Sequence, residues 1–273
     1  MEQYQVQALN IFPIKSLRGI SVTEMAISQT GFMHDREWML IDVDGKFITQ
    51  RQQPRMALIN VVQHNTGVTI SAKNTNSIEI PYEGNSSQAV NVTIWKDQCS
   101  GIVVDKEINQ WFSNFLDVDC RLVSFDTSKI RPVDSDYSKC NQDQVHFADG
   151  FPFLLIGTAS LEDLNRRLSE KNETQVPMIR FRPNIVIETN EPYIEDQWTS
   201  IRIGNVELDV VKPCSRCVIP TIDISTGVKA REPLLTLGSY RKRDGKIYFG
   251  QNLIHIYIPN QSIKVGNFLV PAN

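Results

Sequence analysis

The chain has 273 residues, with 28 Lys and Arg against 31 Asp and Glu, a formal net charge of −3. Hydrophobic residues make up 41% and charged residues 22%, the composition of a globular protein with enough chain for one large domain or two modest ones. Such a balance excludes global electrostatic attraction to nucleic acid. No apolar run approaches the ~18–20 residues of a membrane span, so neither nucleic acid nor a membrane is expected as a partner.

In chain order, the N-terminal stretch MEQYQVQALNIFPIKS lacks the basic, apolar and small-residue succession of a signal peptide. The expected location is therefore cytoplasmic. VQALNIFP reads as the first strand, and WMLIDVDGKFITQR as a hairpin turning at Val43, Asp44, Gly45 and Lys46. ALINVVQHNTGVTISA repeats that pattern, and SIEIPYEG and AVNVTIW add two more strands. The spacing of Ile108, Trp111, Phe112 and Phe115 predicts a helix over 106–116. Residues 126–150, polar and poor in periodic apolar positions, read as a long loop crossing between two halves, either a linker or a binding segment. A second helix is expected over 158–171, with Thr158 or Ser160 as cap and Glu162 and Asp163 in its first turn. Beyond it NIVIET, SIRIGNVELDVVK, CVIPTID, KIYFGQNLIHIYI and SIKVGNFLV read as strands. The fold class is mainly β with a few helices (α+β), built from barrels or sandwiches. No internal repeat or low-complexity tract is present.

Cys99, Cys120, Cys140, Cys214 and Cys217 are odd in number and sparse, which fits free thiols in a reducing compartment. Cys214 and Cys217 form the one C-x-x-C pair, in VVKPCSRCVIPTID. A structural zinc site wants four ligands, and His34, His64, His146 and His255 lie far apart in sequence. A thioredoxin-like pair wants a helix after the first cysteine, and the β-branched run with Pro220 opposes one. Two buried small hydrophobes are the bland alternative. Lys212, Pro213, Ser215 and Arg216 are not core composition, however, and a thiolate beside cations is both a nucleophile and a soft-metal ligand. Trp38, Trp95 and Trp198 read as core, and the histidines as structural groups.

VKPCSRCVIPTID, followed by REPLLTLGSYR and FGQN, resembles the signature of MOSC domains. Upstream, IFPIKSLRG, HDREWMLID and ITQRQQPRMALI resemble the β-barrel domain that precedes MOSC in YcbX-like proteins and mitochondrial amidoxime-reducing components. The resemblance implies an N-terminal β-barrel domain over 1–125 and a MOSC domain over 126–273. It also implies a molybdenum–molybdopterin cofactor between them and reduction of N-hydroxylated substrates. By the same resemblance Cys217 is the molybdenum ligand and the catalytic position, with Cys214 in a supporting role. Cofactor contacts fall to Lys15, Ser16, Arg36, Asp149, Gly150, Phe151, Arg182, Ser215 and Arg216, with Arg51, Arg55 and Arg241 as lesser candidates. Asp149 reads either as a proton donor or as a turn residue. Two other readings stay open. One is a sulfur-carrier or cofactor-handling protein using a Cys217 persulfide; the other is a cofactor-free binding protein. Pyridoxal phosphate is a further phosphate-bearing ligand to consider. Electrons are expected from a separate reductase, flavoprotein or iron–sulfur protein, or from a C-terminal iron–sulfur module such as many relatives carry.

Overall fold

Tyr4–Ile11 (β1) has one short partner close by in sequence, Ile20–Val22, but its barrel partners lie far along the chain. In the structure, a computed structural model that describes residues 2–84, 86–140 and 143–272, β1 lies between two strands from the far end of the chain. Those partners belong to a set formed by Phe153–Gly157 (β2), Ile185–Ile187 (β3), Ser200–Ile203 (β4), Val206–Ser215 (β5), Lys246–His255 (β6) and Phe268–Ala272 (β7). The hydrogen-bonded order is β2-β3-β1-β7-β4-β5-β6, and β6 pairs back onto β2, closing a seven-stranded barrel. Every neighbouring pair is antiparallel except β2 with β3. Closure removes the free edges that an open sheet would expose.

Period-2 alternation explains how β2 comes to be buried on both faces. Phe153 and Leu155 point into the barrel with Val6, Leu9, Ile185 and Leu253, while Leu154 and Ile156 pack outward against Leu164 and Leu168. Those leucines belong to Thr158–Glu170, the second of three α-helices among the described residues, after Lys106–Leu116 and before the short Leu234–Gly238. Each such side chain taken from water contributes about 1.5–3 kcal/mol. Gly250 makes the close contact between β6 and β2 feasible: its φ is +79°, and a Cβ there would stand 2.6 Å from Ile156 Cγ1.

The other half of the chain builds an antiparallel four-stranded sheet ordered Trp38–Ile41, Arg121–Phe125, Asp97–Val103, Ala89–Ile94, and a three-stranded sheet from Asn60–His64, Gly67–Ser71 and Ile78–Pro81. The helix expected over 106–116 forms there with the same bounds. Its N-cap is Asp105, whose side chain accepts from the Glu107 N–H, and Ile108, Phe112 and Phe115 are buried.

Three expectations fail for local reasons. The return strand after the Asp44-Gly45 turn shrinks to a bridge between Ile41 and Phe47, where the Phe47 N–H turns to the Thr93 carbonyl. CVIPTID forms a 3-10 turn at Ile219–Thr221, where Pro220 cannot donate to a ladder. In the second helix neither Thr158 nor Ser160 caps: the cap position is Gly157, and no acid lies in the first turn. Ser160 instead donates to Glu195, whose carboxylate also accepts from the Gly157 N–H. The long loop over 126–150 carries no helix or strand; two of its residues, Asn141 and Gln142, lie outside the described residues.

Candidate functional site

The end of β5 faces the turn that follows β1 across a cleft of about 560 Å³. Seven Lys and Arg side chains line it (Lys15, Arg36, Arg51, Arg182, Lys212, Arg216, Lys246) against one carboxylate, Asp149. A strong local excess of positive charge thus sits on a chain whose net charge is −3. Such a concentration focuses the field on the cleft and favours an anion there.

Its floor comes from the first half of the chain. Lys15 is 6% exposed and reaches Asp149 Oδ1 at 2.6 Å and the Phe147 carbonyl at 2.7 Å. Burial pushes the Lys15 ammonium down from its usual pKa, and Asp149 offsets part of that shift. Burial by itself would raise the Asp149 carboxyl; the Lys15 charge outweighs it, with help from Arg51 and the Trp95 N–H, and holds the group well below the carboxylate range. The Asp149 side chain is nonetheless 63% exposed, opening on the cleft. It is ionised at neutral pH and serves as an acceptor, which removes it as a source of protons.

The loop that bears Asp149 is fixed from behind. The buried Arg131 guanidinium donates to the carbonyls of His146 (2.8 Å) and Ala148 (2.6 Å) and pairs with Asp97 at 2.8 Å. Sequence gave no sign of this: a lone arginine in KIRPVD reads as a solvated charge, and its partner lies more than thirty residues upstream.

Arg36 and Arg182 approach one another over the Phe12 ring, their guanidinium carbons 4.5 and 4.2 Å from its centroid. Arg36 pairs with Asp35 and donates to Asn184 Oδ1 at 3.0 Å. Asn184 is buried and donates in turn to Asp35 Oδ2 at 3.1 Å, so it ties the clamp to the barrel. Arg182 donates to the Leu17 carbonyl at 2.6 Å. Burial, then the nearby Arg36, lowers its pKa to about 9, with Asp35 and Asp149 offsetting only part of the shift, and a bound anion would offset more. Ser16, Arg36 and Arg182 all adopt left-handed φ, at 67°, 53° and 59°. Each costs on the order of 1–3 kcal/mol, and strain of this kind gathers where side chains must be aimed.

On the opposite wall, β5 is bulged at Val210/Lys212 and Pro213/Ser215 against β6. The irregularity accommodates Pro213 and re-aims the residues after it. Cys214 accepts from Arg216 Nη1 at 2.9 Å and packs against the apolar cluster that contains Phe181 and Phe249, a supporting position. Cys217 lies past the strand on the cleft wall and is half-buried. Among the described residues, no group of three His, Cys, Asp or Glu is gathered as a metal site, so a metal at Cys217 would bring most of its ligands with it. The arrangement can hold an anion at its floor and offer a soft sulfur ligand, Cys217, at its wall.

All ten residues named from the sequence line this one cleft, as does Arg51. Arg55 and Arg241 do not: Arg55 lies over Phe115, and Arg241 pairs with Asp196 at 2.6 Å. Trp38 and Trp198 are core residues, but Trp95 is 50% exposed at the cleft mouth. His34 pairs with Glu37, and His255 bonds the Ser28 carbonyl. Among the described residues no helix is long and apolar enough to cross a membrane.

Comparison with known proteins finds two family models matching the chain. The MOSC N-terminal beta barrel domain covers residues 3–119, and the MOSC domain covers residues 142–269. Mitochondrial amidoxime-reducing component 1 of Mus musculus is 39% identical over 88% of this chain and 72% of its own length. Its Homo sapiens counterpart is 36% identical over 96% and 81%. Molybdenum cofactor sulfurase of Arabidopsis thaliana is 32% identical over 90% of this chain, but over only 32% of its own length. The crystal structure of a YUAD protein from Bacillus subtilis aligns over 98% of this chain and 94% of that one at 8% identity and a TM-score of 0.42, a likeness too distant to bear on the fold.

Proposed function

Because the chain belongs to the family of the mitochondrial amidoxime-reducing components, with a MOSC N-terminal barrel domain and a MOSC domain, we propose that it reduces N-hydroxylated small molecules at a molybdenum–molybdopterin cofactor held in the cleft. The observation that carries this reading is the pairing of a strongly cationic floor with a thiol on the facing wall. When bound, the cofactor would supply the two-electron chemistry, the substrate oxygen leaving as water with two protons.

Lys15, Ser16, Arg36 and Arg182 bind the phosphate end by charge and by fixed donors. Asp149 orients Lys15 and presents an acceptor to the cleft, while Gly150 and Phe151 continue the same loop along the wall. Cys217 is the protein ligand to the metal, and Ser215 and Arg216 flank it. Electrons come from a separate donor protein. We place the protein in the cytoplasm, and we divide the chain near residue 126 into barrel and MOSC domains, β1 being shared with the later strands. Pyridoxal phosphate would meet the same cations but has no part in this reading.

Metal and pterin analysis of the purified protein tests the reading. About one molybdenum per chain, lost on Cys217→Ala, is expected, together with reduction of an amidoxime by a chemical reductant. Arg36→Glu or Arg182→Glu should empty the site while the circular dichroism spectrum stays native. The kinship to a cofactor sulfurase favours one alternative, a Cys217 persulfide that carries sulfur. Cyanide-releasable sulfur with no molybdenum would establish that alternative and overturn the reductase.

A further inference from the structure

Trp95 occupies a position that local physics assigns to a different kind of residue. Ile94 pairs with Asp97, so Trp95 and Lys96 form a two-residue hairpin loop. Trp95 takes the first loop position with φ +54°, which hairpins ordinarily fill with Gly, Asn or Asp. A bulky aromatic in left-handed backbone is strained, and here it also leaves half its surface exposed. In return the ring gains a single aromatic contact with the core, to Phe47.

The ring is nevertheless held firmly. Its Nε1–H donates to Asp149 Oδ1 at 3.2 Å, the Arg51 guanidinium lies 4.3 Å from its centroid, and Phe47 meets it edge-on at 5.1 Å. Arg51 Nε is buried there without a hydrogen-bond partner among the described residues. Asp149 Oδ1 already takes both Lys15 and Trp95, which leaves its second oxygen to the cleft. A fixed indole thus stands beside an ionised carboxylate at the cleft mouth.

We propose that Trp95 is a specificity-determining platform on which flat, conjugated N-hydroxylated bases stack, their N–H groups turned toward Asp149. This assignment rests on the reductase reading and narrows its substrate class to planar aromatic or heteroaromatic amidoximes and N-hydroxylated bases, ahead of aliphatic ones. Stacking on a preordered aromatic favours a π-face over an alkyl chain of similar size.

The test compares benzamidoxime with acetamidoxime on cofactor-loaded wild type, Trp95→Ala and Trp95→Phe, under a chemical reductant. Trp95→Ala should cost about tenfold in kcat/KM for benzamidoxime, chiefly through KM, and several-fold less for acetamidoxime, while Trp95→Phe recovers most of the loss. Calorimetric binding of benzamidoxime to the unreduced protein should weaken by about the same factor in Trp95→Ala. Equal losses for both substrates, or none for either, in a Trp95→Ala protein with wild-type molybdenum content would overturn the platform alone. A wild-type protein that holds molybdenum and reduces neither compound would overturn the reductase reading and the platform with it.

Discussion

The two walls of the cleft carry similar charge and hold it differently. On the floor, Lys15 and Arg36 each have a carboxylate of their own, Asp149 and Asp35, and each pair is tied into backbone or side-chain partners. On the opposite side Arg216 spends its hydrogen bonds on a sulfur and a carbonyl, and Lys212 lies 4.3 Å over the Tyr137 ring, with no carboxylate partner for either among the described residues. The paired Lys15 and Arg36 therefore act as fixed donors, whereas cations without a carboxylate partner among the described residues, such as Arg182, Lys212 and Arg216, provide most of the field. Placement and attraction are assigned to different residues.

Breaking the floor should have the largest effect. Asp35→Ala removes the partner of Arg36 and the acceptor of the Phe12 N–H (2.7 Å) and of Asn184. Leaving a buried guanidinium uncompensated costs about 3–5 kcal/mol, to be read as a lower urea midpoint. Asp149→Asn should cost less, about 1–2 kcal/mol, since its side chain faces the cleft and solvent screens part of the pair. It carries a pH signature as well. The folded carboxyl is depressed, so the wild-type contribution is complete above the unfolded value of about 4 and is lost as pH falls toward the folded one. Stability of Asp149→Asn should consequently lack that acid-side decline, as denaturation at pH 3 and pH 6 would reveal.

Arg182→Gln sharpens the contrast with a change of sign. Burial and Arg36 both oppose its charge, so the cofactor-free variant should unfold at the same or a higher temperature than wild type while its molybdenum content falls. At the rim, Lys212→Gln should move stability by no more than about 0.5 kcal/mol. Its effect should appear instead as slower cofactor loading with a weaker dependence on salt.

Much of this was legible in the sequence where chemistry is local. The amphipathic spacing of Ile108, Phe112 and Phe115 located a helix, and the blocks around Lys15, Arg36, Arg182 and Cys217 converged on one cleft. What stayed hidden depends on distance along the chain. Arg131 acquires its meaning only once Asp97 and the 146–149 carbonyls surround it, and CVIPTID reads as a strand until the ladder runs out beside Pro220. Trp95 misled for the opposite reason: its composition says core, and only its place at a hairpin tip puts it in the open.

The position of β1 has a consequence for synthesis. This strand is held by Ile185–Ile187 on one side and Phe268–Ala272 on the other, and Lys15 and Ser16 follow directly from it. A chain emerging from the ribosome N-terminus first presents the strand long before either partner exists, so its pairings are among the longest-range and slowest to form. The floor of the cleft is then complete only after the last strand has been made. Loading of the site is thereby deferred until Phe268–Ala272 has joined the barrel, and until then the first strand has only the short Ile20–Val22 beside it.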